Sequence, residues 1–100
     1  MIRYRVSPKA EEDLTEIWEY IARDSFDAAD RWIGRLREAF ETIARSPGIG
    51  HKRSDLTDSA ILFWPVGAYL ILYRIQKRRV EIAAVTQGAR DIPSYLRRRN

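Results

Sequence analysis

AYLILYRIQKRRVEIAAVTQGARD, residues 68–91, carries the signal from which the rest of the architecture can be worked out. Two apolar segments, residues 69–75 and 80–86, flank a basic connection, Gln76-Lys77-Arg78-Arg79. The first segment places branched and aromatic residues at consecutive positions, hence on both faces of a strand. Such a strand is central and covered on both sides, because neither face can meet water cheaply. The second alternates Val80, Ile82 and Ala84 against Arg79, Glu81 and Ala83, which predicts a strand with one covered face. Together they read as a hairpin. A turn at Gln87-Gly88 and the polar run Ala89-Arg90-Asp91 follow, and functional residues are expected near that exit.

Upstream of the hairpin, residues 60–64 form a further strand, ended by Pro65-Val66-Gly67. Residues 47–59 are a loop with Gly48, Gly50 and the basic trio His51-Lys52-Arg53. Residues 2–7 alternate Ile2, Tyr4 and Val6 with Arg3, Arg5 and Ser7, a short strand with one buried face. Ser7-Pro8 then starts a helix: Ser7 can cap it, and proline suits the first helical position because its missing N–H has no intrahelical partner there. Glu11, Glu12 and Asp13 in the opening turns favour the helix dipole. Leu14, Ile17, Trp18 and Ile21 mark one apolar face, and Glu19 and Arg23 are spaced to pair outside it. The helix breaks at Asp24-Ser25, where either residue can cap a second one. Ala29, Ile33, Leu36, Phe40 and Ile43 recur at gaps of four and three, and Ser46-Pro47-Gly48 stops this helix near Arg45. Trp18 and Trp32 are either core or the lip of a groove, and core is the expectation. The C-terminal run 92–100 reads as a short helix, a strand or a frayed tail. The order β, α, α, β, β, β specifies an α+β domain, with an antiparallel helical hairpin packed on one face of a mainly antiparallel sheet.

One hundred residues with 45% apolar content make one domain with a self-sufficient core. The absence of cysteine removes a disulfide framework, a thiol nucleophile and thiolate metal ligands. No apolar leader or spanning stretch is present, so the cytoplasm is the expected location, with no membrane role. The net charge of +4 hides an asymmetry. Residues 8–46 hold six basic and ten acidic side chains, whereas residues 74–100 hold eight basic and two acidic. A basic half of this kind is a face for polyanions or acidic partners, or a solvated surface with no partner.

Most catalytic arrangements are excluded by residue type. The glycines at 34, 48, 50, 67 and 88 are scattered and cannot cradle phosphate as a cluster. A serine–histidine–carboxylate triad would need His51, and no serine sits in a nucleophile-like turn. A lone loop histidine beside two cations has no second metal ligand at matching spacing, so no metal and no cofactor is expected. What remains is a basic, aromatic set: His51, Lys52, Arg53, Arg74, Arg90, Tyr95 and the terminal arginines. It could bind nucleic acid through phosphate contacts and stacking. It could support metal-free phosphodiester cleavage, or present a docking surface to an acidic protein segment.

The ordered set Ser7-Pro8-Lys9-Ala10-Glu11-Glu12-Asp13-Leu14, Ile17-Trp18-Glu19-Tyr20-Ile21-Ala22, Ala28-Ala29-Asp30-Arg31-Trp32-Ile33, Ser46-Pro47-Gly48-Ile49-Gly50, Tyr69-Leu70-Ile71-Leu72-Tyr73-Arg74 and Gly88-Ala89-Arg90-Asp91 resembles toxins of the ParE/RelE superfamily. These are the toxic halves of type II toxin–antitoxin pairs, and the resemblance runs over nearly the whole chain. It implies the same helical hairpin on an antiparallel sheet. RelE-like members cut mRNA on the ribosome with arginines, lysines and a C-terminal tyrosine or histidine. ParE-like members share the scaffold and poison DNA gyrase. The arginine that RelE-like members carry after the tyrosine of the middle strand falls here on Leu70, and the histidine of many relatives before the closing glycine falls on Gln87. Arg90 is kept, and Tyr95 matches the late aromatic. Leu70 and Gln87 favour the ParE-like branch.

That branch implies a gyrase inhibitor neutralised by a ParD-like antitoxin in a hetero-oligomeric complex. The toxic surface is then expected at Arg74, Arg90, Tyr95, Arg97, Arg98 and Arg99. The antitoxin is expected to cover Trp18, Ile21, Trp32, Leu36 and Phe40 with a helical or extended acidic–apolar segment. The alternative is a RelE-like mRNA interferase working through Arg53, Arg74, Arg90 and Tyr95. A second alternative is a non-toxic basic module that binds nucleic acid.

Overall fold

The computed structural model describes residues 3–88 and 90–99, without the side chain of Arg99. Ile2 of the first expected strand, Ala89 of the closing motif, the Arg99 side chain and Asn100 lie outside the described residues. The elements are β1 (Arg3–Val6), α1 (Pro8–Ala22), α2 (Phe26–Arg45), a single 3₁₀ turn (Pro47–Ile49), β2 (His51–Lys52), β3 (Leu62–Val66), β4 (Tyr69–Gln76), β5 (Arg79–Gln87) and α3 (Ile92–Arg99). The five strands form one sheet in the order β1-β5-β4-β3-β2. All neighbours are antiparallel except β1, which lies parallel to β5.

The helix ends follow local chemistry. Ser7 Oγ accepts from Ala10 N at 3.1 Å, with Pro8 at the first helical position. Of the two candidate caps for the second helix, Ser25 is the one used: its Oγ accepts from Ala28 N at 3.1 Å. Arg37 of α2 reaches Glu11 of α1 at 3.0 Å, tying the two helices on their outer side. The expected Glu19–Arg23 pair does not form; Arg23 lies over the Tyr20 ring instead, 5.9 Å from its centroid.

Both faces of the sheet are covered. On one, Ala10 and Leu14 of α1 and Leu36, Phe40 and Ile43 of α2 pack on Tyr69, Ile71, Tyr73, Val80, Ile82 and Val85. On the other, Ile92 and Tyr95 of α3, with Ile61, pack on Phe63, Leu72 and Ala84. β4 is therefore the doubly covered central strand its composition predicts, except that Ile75, at its end, is 48% exposed. The C-terminal run is a helix, and β3 continues through Pro65 and Val66 instead of ending before them. Proline is tolerated there because β2 covers only the Leu62–Phe63 end of β3, so Pro65 lies on an open edge that needs no N–H donor.

The simple alternation expected in β5 fails at Ala83. Leu72 pairs with Ala84 while Tyr73 pairs with Ile82, which leaves Ala83 as an inserted residue, a β-bulge. One extra residue reverses the side-chain parity. Val80 and Ile82 face the helices, Ala84 faces α3, and Val85 faces the helices again. Ala84, Val85 and Thr86 are all buried, so β5 is covered on both sides beyond the bulge. The backbone groups there find partners on the first helix. Ser7 N donates to Ile82 O at 3.0 Å, and Ser7 Oγ to Ala83 O at 3.3 Å. Val85 N donates to the Asp13 carboxylate at 2.9 Å. Asp13 and Ser7 thus continue the edge pairing that β1 leaves off at Val6.

Both hairpin turns have two residues. Gly67, between β3 and β4, has φ +58° and packs against the Trp32 ring, where a Cβ would stand 2.6 Å from the indole. Lys77, between β4 and β5, has φ +53°, a left-handed conformation that costs a lysine about 1 kcal/mol. The Ser46-Pro47-Gly48-Ile49-Gly50 segment is clasped by Tyr73. Its buried phenol donates to Pro47 O at 2.6 Å and accepts from Gly50 N at 2.9 Å. Gly50 is needed for this approach, since a Cβ would lie 2.5 Å from the phenol oxygen.

Candidate functional site

The exit of β5 borders a cleft. A cleft of about 350 Å³ opens between the end of β5, the start of α3 and the acidic side of α1. Gln87 and Arg90 form one wall, Glu12, Glu16 and Tyr20 the other, and Lys9 and Tyr95 also line it. The Arg90 guanidinium lies over the Tyr95 ring, 4.7 Å from its centroid, a cation–π contact that holds the cation at the rim. Asp91 caps α3: its carboxylate accepts from Ser94 N at 3.3 Å and from Ser94 Oγ at 3.0 Å. These bonds, aided by Arg97 and Arg98, hold the Asp91 carboxyl below the usual aspartate range. The cap places Arg90 and Tyr95 on either side of the helix start, so the site is built by local helix chemistry.

The other expected residues scatter. Arg74 is in cross-strand register with Glu81, which in turn is in register with Arg5 on β1. Glu81 contacts Arg5 at 2.8 Å and Arg74 at 3.7 Å, so a row of three alternating charges runs across the sheet. Arg74 lines a second groove, about 450 Å³, whose floor includes Leu72, Ala84 and Leu96. Arg53 is held in the loop after β2 by a two-bond contact to Asp55 at 2.8 and 2.9 Å, and this keeps the Asp55 carboxyl low. Arg97 and Arg98 are exposed on the last turns of α3, and Arg97 donates to Ser94 Oγ at 3.0 Å. His51 is exposed and stacked with Trp64, with ring centroids 6.4 Å apart. Of the set Arg53, Arg74, Arg90 and Tyr95, only the last two meet.

Three expectations are corrected by burial. Tyr95 is 8% exposed and belongs to the core beneath α3, so its ring supports Arg90 and offers little surface of its own. Leu36 and Phe40 are 0% exposed, because that side of α2 lies directly on the sheet, so neither can receive a partner segment. Trp18 is not core: it stacks on Phe26 at 5.7 Å, and its indole N–H donates to Asp30 at 2.8 Å. Phe26 and Tyr20, 68% and 60% exposed, extend this aromatic surface at the tip of the helical hairpin. Trp32 is half-buried between the Tyr69 ring and the Arg35 guanidinium, and Ile21 is half-buried. Leu70 packs beside the cluster under α3, and Gln87 is exposed at the cleft. Reading the sequence by its apolar stripes misses Phe26 and Tyr20. Tyr20 falls off the stripe of its helix, and an aromatic ring off the stripe is the signal that marks it, whereas Phe26 continues the spacing of α2 three residues before Ala29, so its place on the stripe gives no sign of its exposure.

Among the described residues, no helix is long and apolar enough to cross a membrane. The family model of the ParE toxin of the type II toxin–antitoxin system parDE matches residues 4–92. Toxin ParE1 of Caulobacter vibrioides is 30% identical over 94 residues, covering 93% of this chain and 96% of its own. Among solved structures, a chain of the chromosomal ParDE system from P. aeruginosa superimposes with a TM-score of 0.73 at 14% identity, covering 87% of this chain and 96% of that one. A chain of the RelBE2 toxin–antitoxin complex from Mycobacterium tuberculosis gives 0.64 at 23% identity, covering 86% and 96%. These two similarities establish a common fold. The family model spans the helical hairpin, nearly all of the sheet and Arg90, and the chain belongs to the ParE toxin family of type II toxin–antitoxin systems.

Proposed function

We propose that this toxin acts by docking on DNA gyrase in the cytoplasm, without cutting RNA, and that a cognate ParD-like antitoxin neutralises it in a hetero-oligomeric complex. The observation that carries the reading is the burial of Tyr95 together with Leu70 against one apolar cluster. A ribonuclease needs a proton carrier and cations converging on a scissile phosphate. Here the tyrosine ring is packed into the core, Leu70 supplies no charge, and Arg53 and Arg74 lie apart from Arg90. Arg90, with the exposed Arg97 and Arg98 further along the chain, offers a cationic rim for docking. Membership of the ParE family and the P. aeruginosa ParDE neighbour support the choice of target and antitoxin. Trp18, Ile21 and Trp32, joined by Phe26, supply the accessible apolar surface for the antitoxin.

The test runs two assays on the purified chain. Supercoiling by gyrase should fall with added toxin and recover when the antitoxin is supplied, and Arg90→Ala should weaken the inhibition. Supercoiling that stays normal at high toxin excess would refute the proposal. Cleavage of ribosome-bound mRNA that is lost in Arg90→Ala would replace it with the interferase reading.

A further inference from the structure

The basic connection Gln76-Lys77-Arg78-Arg79 lies outside both surfaces described above. The fold adds a fourth cation to it. Parallel pairing of β1 with β5 sets Arg3 directly beside Arg79, and Arg3, Lys77, Arg78 and Arg79 line one concavity of about 560 Å³ at the β4–β5 turn. Like charges in register on neighbouring strands oppose folding. Elsewhere carboxylates offset such cations: on the sheet Glu81 sits between Arg5 and Arg74, and in the loop after β2 Asp55 holds Arg53. Among the described residues, no carboxylate forms an ion pair with Arg3, Lys77, Arg78 or Arg79. Lys77 is also held in a left-handed conformation that glycine or asparagine would adopt at lower cost. A hairpin tip that keeps four uncompensated cations, one of them on a strained backbone, is built for a polyanion.

We infer that this end of the sheet binds the phosphate backbone of duplex DNA. Among the described residues, the lining contains no aromatic ring, so it lacks the stacking platform that single strands need. Among those described residues there is also no apolar anchor of the kind that fixes a protein partner. Cations alone read the regular charge of a duplex. The inference goes beyond gyrase docking and does not depend on it, since the ligand is the DNA itself and the residues are different ones.

The experiment measures binding of a fluorescent 20-base-pair duplex to the purified chain by anisotropy across a salt series. Four neutralised phosphates predict a slope of log K against log salt of about −3.6, hence a loss of roughly a hundredfold between 50 and 200 mM. The variant Arg78→Ala/Arg79→Ala should reduce the magnitude of the slope by about 2. Arg31→Ala/Arg45→Ala, on α2, should leave it unchanged. Thermal melts of each variant check that it folds; the tip residues are exposed, and Lys77→Ala serves as a further variant that touches only the turn. The site is overturned if both double variants weaken binding equally. It is equally overturned if a single strand of the same length binds more tightly than the duplex, or if a polyglutamate peptide competes as well as unlabelled duplex. Gyrase plays no part in this measurement, so its outcome is separate from that of the supercoiling assay.

Discussion

Replacing Tyr73 with phenylalanine removes one oxygen from the centre of the molecule and tests how the loop after α2 is held. The phenol is fully buried, donates to Pro47 O at 2.6 Å and accepts from Gly50 N at 2.9 Å. Both partners are half-buried, so the variant leaves a carbonyl and an N–H with poor access to water. A net hydrogen bond is worth about 1 kcal/mol and an orphaned buried group costs about 1–3, so Tyr73→Phe should lose roughly 2–3 kcal/mol. For a domain of this size that lowers Tm by roughly 10–20 °C. Urea denaturation of both proteins gives the difference, with equal m-values confirming that the unfolded states match. A second signature lies in alkali. Burial holds the Tyr73 phenol above its ordinary value, with the Gly50 N–H pulling less strongly the other way. The folded chain therefore keeps a proton that the unfolded chain releases near pH 10, so this stabilisation is complete below about pH 10 and is lost as pH rises through the folded value. The variant lacks the group, and Tyr69, also raised by burial, is common to both proteins. The gap between them should narrow above pH 10. A gap under about 0.5 kcal/mol at neutral pH, or one that stays constant in alkali, would refute the reasoning.

Lys77→Gly should raise stability by roughly 0.5 kcal/mol, since relief of the left-handed lysine outweighs the added chain entropy of glycine; calorimetry measures it, and the same variant should flatten the salt dependence of duplex binding. Asp91→Ala should fray the start of α3, seen as lost helical circular dichroism at neutral pH. Because the folded Asp91 carboxyl is held low, its capping contribution is present above about pH 4 and lost as pH falls through the folded value, so variant and parent should converge in acid. Tyr95→Phe should keep gyrase inhibition, because the ring still packs under Arg90, whereas Tyr95→Ala should reduce it by releasing α3. Loss of toxicity in Tyr95→Phe would mean that the phenol oxygen takes part directly.

The family resemblance rests on features spread along the chain, and these are legible in the amino-acid sequence because each is local. Serine before proline, the four-and-three spacing through Ala29, Ile33, Leu36, Phe40 and Ile43, and the Ser46-Pro47-Gly48 stop all act within a turn or two of backbone. The helices accordingly begin at Pro8 and Phe26 and end at Ala22 and Arg45. The α+β architecture follows from the same signals, since an amphipathic helical pair needs an apolar sheet face and residues 69–86 supply one. Position on the apolar stripe does not reveal depth. Leu36 and Trp18 occupy equivalent places in their helices, yet one lies at 0% exposure and the other beside the exposed Phe26.

The two long helices with their ends and the hairpin at residues 68–91 are thus properties of the sequence alone, whereas the short strand His51–Lys52 in the expected loop, the extension of β3 through Val66 and the helical form of the C-terminal run are not. Which way the hairpin's side chains point, and which of its charges are free, is settled in three dimensions. Alternation through Val80, Ile82 and Ala84 predicts a single covered face, but the bulge at Ala83 turns Ala84 to the other side. Its backbone is held by Ser7 and Asp13, more than seventy positions earlier in the chain. Charge follows the same rule: Arg74 is matched by Glu81 across the sheet, while Arg79 is set beside Arg3. Periodicity records forces that act between near neighbours. Parity after a bulge, burial depth and charge pairing arise from residues brought together only when β1 and α1 close on β5.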